Sequence, residues 1–106
     1  MKKRIAILGS TRSIGTQALE VISHNPSQFE VSVITARDNV DLLVKQSLDF
    51  LPAHVVITNE SKYDEVADAL SALPSQVHFG EKMLTEIVQR EEIDLVLTAL
   101  VGFAGV

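Results

Sequence analysis

Short apolar, β-branched runs alternate with segments of helical period along the whole chain, and this alternation constrains the fold more than any other feature. Residues 5–8 form a continuous apolar run, as expected of a strand buried on both faces of a parallel sheet. Behind it Ile14, Ala18, Leu19, Val21 and Ile22 fall at helical spacing until Asn25-Pro26 stops the helix. A second run, Phe29–Ala36, leads through Asn39, a good N-cap, into a helix over residues 40–51. There Leu43, Val44, Leu48 and Leu51 share a face, and Pro52 closes the helix. Residues 55–57 predict a third strand, followed by a helix carrying Tyr63, Val66, Ala67, Leu70 and Leu73. A minimal strand over 77–79 turns at Gly80. An amphipathic helix with Leu84, Ile87 and Val88 follows, then a last strand over 93–100. Strands alternating with helices of this length imply βαβ units with right-handed crossovers. The expected fold is a three-layer α/β/α sandwich on a mostly parallel, doubly wound sheet.

The 106 residues suffice for one domain. A net charge of −5 argues against a general nucleic-acid binder, which needs a basic patch. With no cysteine there is no disulfide, thiolate zinc site or thiol nucleophile. The longest charge-free stretches, 69–80 and 95–106, are twelve residues each, too short to cross a membrane. The basic start Met1-Lys2-Lys3-Arg4 is followed by too short an apolar run for a signal peptide, so a cytoplasmic location is expected.

The segment that carries chemistry is Gly9-Ser10-Thr11-Arg12-Ser13-Ile14-Gly15, at the first strand-to-helix turn. A turn there directs free backbone N–H groups and the positive end of a helix dipole at an anion. Small residues let a dinucleotide pyrophosphate approach the backbone. Gly9 suits the tight turn, Gly15 close helix–strand packing, and Thr11 and Ser13 offer hydroxyl donors. The Gly-Lys-Ser/Thr ending of a P-loop is missing, which disfavours nucleotide triphosphate hydrolysis. Ser10 and Ser13 have no base placed with them and are not nucleophile candidates.

A second site is expected where the second strand ends, at Arg37-Asp38-Asn39. A cation there suits the 2′-phosphate of NADP, and Asn39 can donate to it from a helix N-terminus. Asp38 cuts the other way, since a carboxylate can serve the ribose of NAD. The balance favours NADP. His24, His54 and His78 share no ligand spacing with carboxylates and suggest no metal site. Asp64, Glu65 and Asp68 read as a solvated helix face.

The segment from Ile7-Leu8-Gly9-Ser10-Thr11 through Ser13-Ile14-Gly15-Thr16-Gln17-Ala18-Leu19 resembles the start of 1-deoxy-D-xylulose 5-phosphate reductoisomerases. So do Asn25-Pro26, Phe29, Asn39-Val40 and the terminal Ala99-x-Val101-Gly102-x-Ala104-Gly105. The resemblance implies the Rossmann-like NADPH-binding domain of an enzyme of non-mevalonate isoprenoid synthesis. Such enzymes rearrange a phosphorylated sugar, deoxyxylulose phosphate, with a divalent metal (Mg or Mn). They reduce the resulting aldehyde with NADPH to 2-C-methyl-D-erythritol 4-phosphate, usually as homodimers. It further implies cofactor contacts at Thr11, Arg12, Ser13 and Ile14, with Gly9 and Ser10 in the same turn. Others fall at Arg37, Asp38 and Asn39, and at Ala99, Leu100 and Val101 beside the nicotinamide half. The family has glycine where this chain has Arg12, so the arginine either crowds the pyrophosphate or reaches over it as a counter-ion. A position requiring φ > 0 would also strain a non-glycine residue.

The metal ligands, substrate-phosphate donors and lid of the family fall outside residues 1–106. The chain is therefore expected to be a fragment, inactive alone, that binds no metal itself. The alternatives are a stand-alone nucleotide-binding module and a domain in which Arg12 abolishes binding. The pyrophosphate crevice is expected between residues 9–15 and 99–102.

Overall fold

The computed structural model describes residues 2–90 and 92–99. In chain order the elements are β1 (Lys3–Leu8), α1 (Ser13–Ser23), β2 (Phe29–Ala36), α2 (Val40–Phe50) and β3 (His54–Ile57). A 3-10 turn (Glu60–Lys62), α3 (Tyr63–Ala69), β4 (Gln76–Phe79), α4 (Lys82–Val88) and β5 (Leu95–Thr98) complete them. The five strands form one sheet in the order β4-β3-β2-β1-β5, and every pairing is parallel. The alternation in the sequence thus becomes the doubly wound α/β sandwich it predicts.

The handedness of the crossovers decides how the layers fill. Three successive steps, β1 to β2 to β3 to β4, run the same way across the sheet and put α1, α2 and α3 on one face. The step from β4 back past β1 to β5 reverses direction and puts α4 on the other. Two apolar clusters record this. The larger joins Ile5, Ile7, Val31, Ile34, Val55 and Ile57 to Leu19, Ile22, Leu43 and Val66 of α1–α3 and to Leu70, the C-cap of α3. The smaller joins Ala6 and Val33 to Ile87 of α4, with Met83, Val88 and Ile93 packed against it. β1 is therefore buried on both sides, which is why its sequence is a continuous apolar run. A register shift between Ile5 and Ala6, against β2, allows Val31 and Ile34 to face one cluster and Val33 the other.

Element ends differ from the sequence expectation in identifiable ways. α2 stops at Phe50 and Leu51 adopts a left-handed cap (φ 49°, ψ 56°), its amide still donating to the Ser47 carbonyl. β5 begins at Leu95 because Ile93 turns into the α4 cluster. The Asp94 side chain instead fastens the strand entrance, accepting the Arg4 amide at 2.8 Å. The expected strand end at Leu100 lies outside the described residues.

Parallel register also joins two histidines that lie 24 positions apart. His54 Nδ1 and His78 Nε2 approach to 3.1 Å across β3 and β4. One nitrogen must donate and the other accept, so the contact excludes two charged rings. Burial lowers the pKa of both, and the Arg90 charge adds to it. For His54 the neighbouring His78 lowers it further, while Glu92, with Oε1 3.9 Å from Nε2, pulls the other way. Folded pKa values below that of the unfolded chain mean that the unfolded state takes up protons first as pH falls. Stability contributed by this pair is therefore complete above about pH 6.5 and is lost as pH drops through the lowered folded values. The urea midpoint should fall between pH 7.5 and pH 5.5, and His78→Gln should flatten that dependence. A midpoint that is unchanged or rises on acidification would contradict the assignment.

Candidate functional site

The carboxyl ends of all five strands lie at one edge of the sheet, where the strand-to-helix turns gather. Gly9 leaves β1 with φ 83°, a conformation that glycine adopts without a Cβ penalty. The chain then folds tightly, the Arg12 amide donating to the Gly9 carbonyl at 3.1 Å. Arg12 itself is extended (φ −85°, ψ 167°), so the positive φ that would strain an arginine is not required there. A Cβ added to Gly15 would lie 2.3 Å from the Gly9 carbonyl oxygen and 2.7 Å from the Ser10 Cα. The first turn of α1 and the loop before it thus press together to a degree that only glycine permits.

Beneath the turn lies a closed set of hydrogen bonds to β2 and α2. The Gly9 amide donates to Thr35 Oγ1 and the Ser10 amide to the Thr35 carbonyl, each at 2.8 Å. Ser10 Oγ donates to Gln46 Oε1 at 2.7 Å, with the Thr35 carbonyl a second acceptor at 3.2 Å, and Gln46 Nε2 returns a bond to the Ser10 carbonyl at 2.8 Å. Ser10, Thr35 and Gln46 are all buried. The side chain expected of Ser10 as a cofactor contact therefore points inward and holds the loop from behind.

Above the turn the situation is opposite. Arg12, at the N-cap of α1, makes no side-chain capping bond, and no acidic residue stands in the first turn. The first-turn N–H groups have no intrahelical acceptors by the geometry of any helix. Among the described residues no acceptor meets the Thr11 amide either. By contrast, α2 is capped conventionally, Asn39 Oδ1 accepting the Leu42 amide at 3.2 Å. That contact uses the carbonyl end of the Asn39 amide and leaves its NH2 group as a donor.

Between these turns is a crevice of about 600 Å³. It is lined by Gly9, Thr11 and Arg12 of the glycine turn, by Thr35–Asn39 at the end of β2, and by Thr58, Glu81 and Leu84. The Arg37 side chain is largely exposed, its Nε 3.7 Å from Asp38 Oδ2. Asp38 Oδ1 accepts from Asn59 Nδ2 at 2.5 Å, and the Asn59 amide donates to the Arg37 carbonyl at 3.1 Å. Asn59 thereby staples the Arg37-Asp38-Asn39 turn to the end of β3, with both Asp38 oxygens facing donors. A larger groove of about 690 Å³ runs between α1 and α2, but it is lined by Leu19, Glu20, Ile22, Lys45 and the first residues of β2, Phe29–Val31, at the opposite edge of the sheet from the carboxyl ends of the strands.

The structure therefore brings together the two expected segments, at Thr11-Arg12 and at Arg37-Asp38-Asn39. Ser13 and Ile14 stand at the helix start beside the crevice without lining it. The described crevice lies on the β2 side of the glycine turn, and the space expected between residues 9–15 and 99–102 falls largely outside the described residues. On the β5 side Ala99 is buried and its amide donates to the Leu8 carbonyl at 2.7 Å. Leu100 and Val101 lie outside the described residues. Thr35, Gln46, Thr58 and Glu81 were not singled out from the sequence. Thr35 is one β-branched residue in a strand run, and Gln46 lies off the face that Leu43, Val44, Leu48 and Leu51 define, so neither stands out in the sequence. Among the described residues no group of three or more metal-ligating side chains comes together, and no helix is long and apolar enough to cross a membrane.

Sheet order, crossover pattern and a glycine turn open to an anion define a Rossmann-like α/β domain. The chain belongs to the 1-deoxy-D-xylulose 5-phosphate reductoisomerase family, whose model matches residues 5–106. It is 54% identical over 105 residues to the 1-deoxy-D-xylulose 5-phosphate reductoisomerase of Phocaeicola vulgatus, covering 99% of this chain and 28% of that protein. Among solved structures, a DOX-P reductoisomerase in complex with magnesium superposes with a TM-score of 0.89 at 29% identity, over 99% of this chain and 26% of the other. The Zymomonas mobilis 1-deoxy-D-xylulose 5-phosphate reductoisomerase in complex with NADPH matches with a TM-score of 0.78 at 28% identity, over 81% of this chain and 23% of the other. The chain thus spans just over a quarter of the length of the relatives it matches. The family read from the residue 7–19 motif is the family found.

Proposed function

We propose that residues 1–106 form the NADPH-binding domain of an enzyme that converts 1-deoxy-D-xylulose 5-phosphate to 2-C-methyl-D-erythritol 4-phosphate. The observation that carries this reading is the uncapped start of α1, pressed against a glycine turn and facing Arg37 across one crevice. The α1 N-terminus and the Thr11 amide supply donors for a pyrophosphate. Arg37 has terminal guanidinium nitrogens to offer a 2′-phosphate, and the Asn39 NH2 stands beside it. Asp38 is already occupied by Asn59 and Arg37, which weakens its claim on an NAD ribose and supports NADPH. Bound NADPH would supply the hydride that reduces the rearranged aldehyde. The protein groups named here bind and orient the dinucleotide. The divalent metal, the sugar phosphate and the homodimer contacts are assigned to the rest of the enzyme, and the location to the cytoplasm.

Arg12 is assigned the role of a counter-ion. Its backbone is unstrained and its exposed side chain borders the crevice, so a guanidinium there can swing over the phosphates. Calorimetric titration tests these roles together. NADPH should bind more tightly than NADH. Arg37→Ala should weaken NADPH about tenfold while leaving NADH nearly unchanged, as for loss of a charge-assisted hydrogen bond. Arg12→Gly should weaken both dinucleotides by about threefold, in keeping with an exposed ion pair. Equal affinity for NADPH and NADH, indifferent to Arg37→Ala, would defeat the 2′-phosphate assignment. Tighter binding by Arg12→Gly would show that the arginine crowds the site.

A further inference from the structure

From the bonds beneath the glycine turn we infer that Gln46 is a positioning residue that aims the Thr11 amide into the crevice. The inference rests on the reading that this turn receives the phosphates of a dinucleotide.

The Ser10 carbonyl and the Thr11 N–H belong to one planar peptide unit, and in a trans peptide the two point in opposite directions. No cis peptide is present. Whatever grips the Ser10 carbonyl on one side therefore sets where the Thr11 N–H points on the other. Gln46 Nε2 grips that carbonyl at 2.8 Å, from a side chain only 5% exposed. The same amide accepts the Ser10 hydroxyl at 2.7 Å, so the Gln46 side chain is held in one orientation by a reciprocal pair. The preceding Gly9 and Ser10 amides are held by Thr35, which leaves the Ser10–Thr11 peptide as the unit whose orientation depends on α2. Thr11 lies on the crevice wall opposite Arg37.

Without Gln46 the Ser10 carbonyl loses its buried donor, and its cheapest recourse is to rotate toward solvent. That rotation withdraws a donor from the phosphate position and presents a carbonyl dipole of the wrong sign. Gln46 thus acts on the cofactor through the one peptide unit it grips, from a helix whose residues 40–50 do not line the crevice.

The test is titration of the 106-residue chain with NADP+ between pH 6 and pH 8, with every variant compared with wild type at the same pH. Gln46→Leu should weaken NADP+ by about tenfold, as expected for loss of a buried hydrogen-bond pair that orients a binding group. Gln46→Glu supplies the discriminating readout. A protonated carboxyl can accept from Ser10 Oγ and donate to the Ser10 carbonyl as the amide does, whereas a carboxylate cannot donate. Its affinity relative to wild type should recover as pH falls, while that of Gln46→Leu stays flat. A purely structural role would lower the unfolding temperature of both variants and leave the affinity ratio independent of pH. Wild-type affinity retained by both variants would overturn the inference while sparing the assignment of the site. A wild-type chain that fails to bind NADP+ would overturn the site assignment, and the inference with it. If Gln46→Leu does not fold, the pH profile of Gln46→Glu decides alone.

Discussion

Gly15→Ala is expected to cost about 3 kcal/mol of stability and to weaken NADPH binding by about 100-fold. The added Cβ would stand 2.3 Å from the Gly9 carbonyl oxygen, roughly an ångström inside ordinary contact, and 2.7 Å and 2.9 Å from the Ser10 Cα and carbonyl carbon. All three obstacles are backbone, so no side chain can swing aside. The loop must lift from α1, and it is fastened below by Thr35 and Gln46, so the strain passes into the buried hydrogen bonds. Chemical denaturation gives the stability change and calorimetry the affinity. Wild-type values for both would mean that the close approach of α1 to the turn has been misplaced.

Thr35→Val should destabilise the chain by about 2 kcal/mol and lower the unfolding temperature by roughly 10 °C. Valine keeps the shape and strand propensity of threonine, so packing within β2 is preserved. What is lost is the oxygen that accepts the Gly9 amide at 2.8 Å, at a residue 1% exposed. A buried N–H without an acceptor pays the full cost of its dehydration, which exceeds the net worth of the bond itself. Thr35→Ser keeps the acceptor and should recover most of the loss. If valine and serine are equivalent, Thr35 Oγ1 does not anchor the turn.

Much of this molecule is legible in its sequence, because burial on two sheet faces leaves a recognisable mark. Residues 5–8 are apolar throughout since β1 meets α1–α3 on one side and α4 on the other, and the strand is found where the run predicts it. Asn39 caps α2 as its position before an apolar face implies. Gly9 and Gly15 divide the work of turn and close packing as their spacing suggests. The parts that escape a sequence reading depend on pairing between distant segments. Thr35 sits in a β-branched run where its hydroxyl is indistinguishable from ordinary strand propensity. Gln46 looks like one more polar residue of a helix until α2 is docked over Ser10. His54 and His78 meet only because β3 and β4 pair in one register. The hydrogen bonds from Asn59 to the Arg37-Asp38 turn likewise require β2 and β3 to end side by side.

The central claim is that the crevice between the glycine turn and the Arg37-Asp38-Asn39 turn holds NADPH. Amide chemical-shift mapping of the 15N-labelled chain during titration with NADPH tests it most directly. The account predicts the largest shifts at Thr11, Ser13, Ile14, Arg37, Asn39 and Thr58. Shifts concentrated on Glu20, Ser23, Lys45 and Asp49, in the groove between α1 and α2, would place the ligand elsewhere and contradict it.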